Sequence, residues 1–254
     1  MTETLRIEDD GAVRTLVFAR PEAANAFNEE LYHAAARALR DAASDDAVSV
    51  VLLTGEGRAF TAGTDIKEMA EIARDHAAGR SDQEMGGGFV ALVDALAEFT
   101  KPLMAAVNGA GVGLGITMLG HCDVVLIAEH ARLMAPFAAM GVVPEAAGSY
   151  LLPARMGHQH AALALFTGNW VTAEEAVRCG LALRAVPAEA LLEEARGIAR
   201  EIAAKPLASL VATKELILAP RREEVRRARE REDAAFARLL GQAGADGRIA
   251  ARLG

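Results

Sequence analysis

Phe60-Thr61-Ala62-Gly63-Thr64-Asp65-Ile66 and Asn108-Gly109-Ala110-Gly111-Val112-Gly113-Leu114-Gly115-Ile116 are two glycine-rich turns, each entered from an apolar strand-like run and each leaving into a helical pattern. A helix start has unpaired backbone N–H groups and positive dipole charge, so two of them converging on one oxygen stabilise a developing oxyanion without a metal. Neither turn is a nucleotide-phosphate loop: the second has neither GxxxxGK(S/T) nor a properly spaced GxGxxG. One such turn alone is equally well explained by the freedom of glycine to turn tightly and let a helix approach. The pair points to a site.

The runs feeding these turns include Val48 to Leu53 and Leu103 to Val107, apolar like strands buried on both faces. Upstream, Leu5 to Glu8 and Val13 to Phe18 flank Asp9-Asp10-Gly11 and read as a hairpin. Asn28 caps a helix carrying Leu31, Ala35, Leu39 and Ala42, with Glu29 and Glu30 in its first turn. After a polar stretch from about Arg74 to Gly88, Phe89, Leu92, Val93, Leu96 and Phe99 mark another helix, ended by Lys101-Pro102. Val112 to Leu119 reads as a helix and Val124 to Ala128 as a strand. Beyond Ala147 helices take over, apart from a short strand at Leu183 to Val186. Thr172 and Glu175 form a capping box with Gly180 as the stop. Pro220 to Leu240, rich in both charge signs, reads as a solvated helix docked through Val225, Ala228, Phe236 and Leu239. The class is α/β, strand-strand-helix repeated, with a helical end.

The 254 residues carry a formal net charge of −8, which argues against a surface for nucleic acid or anionic lipid and favours a small-molecule partner. Cys122 and Cys179 lie far apart with no CxxC or Cys/His pattern, so neither a disulfide scaffold nor a zinc site is indicated. A charged start (Glu3, Arg6, Glu8, Asp9, Asp10) and the absence of an 18-residue apolar run predict no signal peptide and no membrane span, hence a cytoplasmic protein. The ending Ala251-Arg252-Leu253-Gly254 carries no peroxisomal or lipidation signal.

Phe60-Thr61-Ala62-Gly63-Thr64-Asp65-Ile66-Lys67-Glu68-Met69 resembles the FxAGxDxxEM signature of the enoyl-CoA hydratase/isomerase (crotonase) superfamily. Arg20-Pro21-Glu22-Ala23-Ala24-Asn25-Ala26-Phe27 is similar to its first CoA-contacting loop, and Pro102 to Gly109 and Cys122-Asp123-Val124 match its central strand and the strand after its buried helix. The resemblance runs from about residue 5 to about 218. It implies a crotonase-like spiral of ββα units over 1–195 holding an acyl-CoA site, and a helical C-terminal region over 196–254 that oligomerises and covers the pocket. It also implies homotrimers or dimers of trimers, an acyl-CoA thioester as substrate, and no cofactor. Carried over by position, the oxyanion donors are the Thr64 and Leu114 amides, whose side chains need not matter. Each such donor is typically worth ~3 kcal/mol of transition-state stabilisation. Ala23, Ala24, Ala62, Gly63, Asp65, Ile66, Gly113 and Phe137 would contact CoA or substrate.

The hydratases of this family use two glutamates, and the corresponding positions here are Thr117 and Phe137. A threonine is no carboxylate base and a phenylalanine excludes the water, so simple hydration is disfavoured. Eight residues past Phe137 stands Glu145, where hydratases usually carry glycine. That glutamate, with Gly115-Ile116-Thr117-Met118-Leu119-Gly120, is similar to the Δ3,Δ2-enoyl-CoA isomerases of the peroxisomal type. In that reading Glu145 carries a proton from C2 to C4 of a 3-enoyl thioester while the two amides hold the enolate oxygen. Phe137, Met140 and Val143 would raise its pKa, whereas a helix start at Ala146 would lower it. Asp65 reads as a helix-start acid rather than a base. Glu68 and Glu71 would reach the pocket only if their helix folds over it. His121 reads as a packed helix-end histidine, because no nucleophilic serine elbow accompanies it. Trp170 and Tyr150 read as packing residues. Other family chemistry (hydration, thioester hydrolysis, decarboxylation) and a non-catalytic acyl-CoA-binding trimer remain the alternatives. Gly241-Gln242-Ala243-Gly244 interrupts the expected final helix, which argues against carrying over a CoA-locking role to Lys214 or Phe236.

Overall fold

The computed structural model describes residues 4–77 and 86–245. The chain runs β1 (Leu5–Asp10), β2 (Val13–Phe18), α1 (Glu29–Ser44), β3 (Val50–Gly55), β4 (Ala59–Thr61), α2 (Ile66–Ala77), α3 (Gly87–Glu98), β5 (Leu103–Val107), β6 (Ala110–Val112), α4 (Leu114–Thr117), β7 (Val124–Ala128), β8 (Arg132–Met134) and α5 (Phe137–Met140). It continues through α6 (Gly148–Met156), α7 (His158–Thr167), β9 (Val171–Thr172), α8 (Ala173–Arg178), β10 (Arg184–Val186), α9 (Leu191–Ala203), α10 (Leu207–Leu218) and α11 (Arg222–Ala245).

Six strands form one sheet in the order β1-β2-β3-β5-β7-β10, with only the β1–β2 hairpin antiparallel. Its centre explains the apolar runs: every residue of β5, and of β3 up to Thr54, is buried. Helix α1 packs along α3, and α9 packs on β2, β3, β5 and β7. The second sheet, β4-β6-β8-β9, is made of strands only two or three residues long. Each of β3-β4, β5-β6 and β7-β8 thus gives one strand to the large sheet and the next to the small one before a helix follows. This is the crotonase-like ββα spiral.

Local signals behave as the residues dictate. The Asn28 side chain accepts the Leu31 N–H, and Thr172 and Glu175 form the reciprocal capping box. Three expectations change. Val112 ends a strand rather than starting a helix, because Val112 pairs with Met134 on β8 and α4 begins only after Gly113 turns at φ +57°. The final helix does not break at Gly241 but continues to Ala245. Of the polar stretch Arg74 to Gly88, the first four residues extend α2 and the last two open α3, while 78–85 lie outside the described residues. Among the described residues no helix is long and apolar enough to cross a membrane.

Candidate active site

The two glycine turns become neighbours because the strands that deliver them, β4 and β6, pair in parallel, Thr61 opposite Gly111. Their approach is close. A Cβ on Gly63 would come 2.6 Å from the Val112 carbonyl oxygen and 3.5 Å from the Leu114 nitrogen, and Gly63 itself sits at φ +83°. Phe27 donates to Gly63 O and accepts from the Asp65 N–H, so the Thr64 N–H between them points to the opposite side of the chain. Leu114 is the first residue of α4, whose start leaves its N–H without an intrahelical acceptor. Among the described residues neither amide donates to a protein acceptor.

Both residues line a cleft whose wall is apolar, including Ile66, Met69, Phe137, Met140, Val142 and Phe236. Glu145 is the one ionisable side chain on that wall among the described residues. It makes no side-chain hydrogen bond among the described residues. Burial, with the nearby Glu232 carboxylate second, pushes its pKa up to about 7. The opposing pull expected from a helix start is absent because α6 begins at Gly148, and its Ala147 and Ser149 amides donate instead to Glu232, each at 2.8 Å. Burial therefore wins.

The candidate residues divide. Ala62, Gly63, Thr64, Ile66, Gly113, Leu114, Phe137 and Glu145 meet on the cleft, and Ala24 lies beside it, accepting the Ala62 N–H at 2.9 Å. Ala23 is not on the wall. Asp65 turns away to pair with Arg20 at 3.1 Å and accepts the Glu68 N–H, as a helix-start acid does. Val142, not Val143, supplies the apolar contact near Glu145. Glu68 accepts the Glu29 N–H and, like Glu71, stays off the wall. The Thr64 side chain, expected to be idle, has its hydroxyl 2.7 Å from the Tyr32 hydroxyl. Thr117 is fully buried, its Cγ2 2.8 Å from where a Cβ on Gly148 would stand. His121 is buried with Nε2 2.9 Å from Ala146 O, and burial lowers its pKa to about 4, so the neutral ring donates to that carbonyl. Arg132 stacks over Trp170 at 4.2 Å, and Tyr150 packs among Leu151, Val225 and Ala228.

Lys214 donates to Asp123 and to Lys101 O, both at 2.8 Å, and is off the cleft wall, whereas Phe236 of α11 lies on it. The sequence reading missed Tyr32 and Glu232. Glu232 carried a signal: it falls on the stripe of Val225, Ala228 and Phe236, where a purely solvated helix has no reason to place an acid.

The model of the family described as enoyl-CoA hydratase/isomerase matches residues 8–248. The chain belongs to that family. It is 36% identical over 215 residues to a probable enoyl-CoA hydratase of Rhizobium meliloti (strain 1021), covering 85% of this chain and 81% of that one. It is 32% identical over 217 residues to the 1,2-epoxyphenylacetyl-CoA isomerase of Escherichia coli (strain K12), covering 85% and 82%. The crystal structure of an enoyl-CoA hydratase/isomerase from Pseudoalteromonas atlantica T6c superposes with a TM-score of 0.90 at 35% identity, covering 98% of this chain and 96% of that one. This crotonase-family member is thus an acyl-CoA enzyme. Its relatives carry hydratase and isomerase names alike, so membership of the family leaves the choice of reaction to the cleft. The peroxisomal type of isomerase is not singled out by them.

Proposed function

We propose that this family member is a Δ3,Δ2-enoyl-CoA isomerase working through one carboxylate. The supporting observation is that, among the described residues, Glu145 is the single acid on the cleft wall; by the family resemblance Thr117 and Phe137 correspond to the two hydratase acids. The ionised Glu145 takes a proton from C2 of a 3-enoyl thioester. The electron pair from that C–H bond delocalises onto the thioester oxygen, which the Thr64 and Leu114 amides receive. Glu145 then gives the proton to C4, and the double bond moves from C3–C4 to C2–C3. A pKa of about 7 suits a group that must accept and return one proton near neutrality. No water enters the balance, consistent with the apolar wall. Ala23, Ala24 and Asp65 belong in this reading to the mouth, where CoA would lie. Exposed Leu216 and Ile217 on α10 fit a trimer contact.

Incubating the purified chain with 3-hexenoyl-CoA and with crotonyl-CoA tests the reading. Conversion of the first to the 2-enoyl product, without loss of the second, is expected. Glu145→Gln should abolish that conversion, and near-normal turnover in this variant refutes the role. Hydration of crotonyl-CoA as the main activity, or binding without turnover, refutes the isomerase reading.

A further inference from the structure

The turn that carries Glu145 is strained. Ala146 and Ala147, neither a glycine, stand at φ +57° and φ +59°, a left-handed pair that residues with a Cβ rarely adopt. Such a turn persists only if its surroundings hold it. From one side His121 donates to Ala146 O. From the other comes Glu232 of α11, 5% exposed, with Oε2 on the Ala147 N–H and Oε1 on the Ser149 N–H. These partners lie 85 and 83 residues away in sequence, so the contact exists only because α11 docks across α6. One turn further along α11, Phe236 reaches the cleft wall.

We propose that Glu232 is the positioning residue for Glu145: by binding the Ala147 and Ser149 amides it fixes the strained turn that aims the base into the cleft and withholds those donors from it. This rests on reading Glu145 as the base. Both parts of the role act on Glu145 in the same direction. With Glu232 gone, a neighbouring negative charge disappears and two amides are released, and each change favours the ionised form. The other charged or titratable groups around this pair are Asp233 on the same helix, Arg229 one turn earlier paired with Asp94 of α3, Arg221 before α11, neutral His121 beyond α4, and Tyr32 of α1. None of them is a hydrogen-bond partner of the two amides.

The test uses the full chain labelled with carbon-13 at the glutamate side-chain carboxyls, with the Glu145 signal assigned by its loss in Glu145→Gln. In Glu232→Gln, which keeps the shape but removes the charge and one acceptor, the Glu145 titration should move down by about half a unit or more. Its kcat for 3-hexenoyl-CoA should fall at least tenfold while KM changes less than threefold. A folded Glu232→Gln with an unchanged Glu145 titration overturns the proposal, since a merely structural acid would not move that signal. If Glu232→Gln does not fold, Glu232→Asp, which keeps the charge but shortens the reach to the two amides, is read by kcat: a fall of at least tenfold with KM changed less than threefold supports the proposal, and an unchanged kcat in the folded variant overturns it. If neither folds, the wild-type chain decides: the Ala147 and Ser149 amides must exchange slowly at neutral pH, and fast exchange overturns the assignment. Should no 3-enoyl thioester be turned over, the isomerase reading fails by itself, and the titration still reports on the link between the two glutamates.

Discussion

The Tyr32 hydroxyl lies 2.7 Å from Thr64 Oγ1, joining α1 to the side chain of the residue whose amide faces the cleft. Tyr32 is buried against Phe27, with ring centroids 5.0 Å apart, and Phe27 makes the bridge that orients the Thr64 amide. The hydroxyl pair therefore braces, from behind, the amide proposed as the first oxyanion donor. Tyr32→Phe should cost about 1 kcal/mol in denaturant unfolding and lower kcat severalfold. Thr64→Val should do the same, and the double variant should be no worse than either single one if their bond is the cause. Fully additive losses would show that the two hydroxyls act separately.

The elevated pKa of Glu145 has opposite consequences for activity and stability. Only the ionised form can take the C2 proton, so kcat/KM for 3-hexenoyl-CoA should fall as pH drops through about 7. Unfolding returns the carboxyl to its ordinary value near 4.5, so between those values the folded state holds a proton that the unfolded state has lost. Stability from this group therefore falls as pH rises from 4.5 to about 7 and stays reduced above that. Glu145→Gln should consequently be more stable than wild type at pH 8, by roughly 1–3 kcal/mol, with the difference disappearing near pH 4.5. Urea unfolding at the two pH values measures it.

Lys214 predicts the reverse combination. Its ammonium is buried between Asp123 Oδ2 and Lys101 O, and the same Asp123 oxygen accepts the Leu103 N–H at 2.7 Å where β5 begins. Lys214→Met leaves that carboxylate short of its partner and should destabilise the fold by about 2–4 kcal/mol. Turnover of the folded variant at 25 °C should stay within twofold of wild type, because Lys214 is off the cleft wall. A large loss of kcat with unchanged stability would contradict this placement.

Much of this architecture was legible because it rests on local rules. The Asn28 cap, the Thr172 box, the Asp-Gly hairpin and the apolar runs of β3 and β5 each carry their signal within a few residues. The small sheet was not legible: β4, β6, β8 and β9 have two or three residues each, too few for any period, and Ala110-Gly111-Val112 looks like part of a turn until β8 is beside it. The site divides the same way. Motif spacing marks Thr64, Leu114 and Glu145, which meet on the cleft, whereas Tyr32 and Glu232 make their contacts across 32 residues and more than eighty, through helix docking that no local pattern encodes. Asp65 was legible as a helix-start acid from its place before α2, but its ion-pair partner Arg20, 45 residues upstream, could not be paired with it from spacing alone.

Gly63 and Gly113 separate backbone strain from crowding. Both have positive φ, +83° and +57°, so an alanine at either is strained by about 1–3 kcal/mol. A Cβ at Gly113 meets nothing within 4 Å, whereas one at Gly63 stands 2.6 Å from the Val112 carbonyl, which is backbone and has no rotamer to yield. Gly63→Ala must therefore push β6 and the start of α4 away from the first turn, separating the Thr64 and Leu114 amides. Losing one donor from an oxyanion pair typically costs about 10²–10³ in kcat, and that is the loss expected for Gly63→Ala. Gly113→Ala should lower the melting temperature comparably while keeping kcat within about tenfold, since its methyl displaces neither turn. Equal kcat losses in two folded variants would mean that the close approach of Gly63 to Val112 does not set the spacing of the two amides.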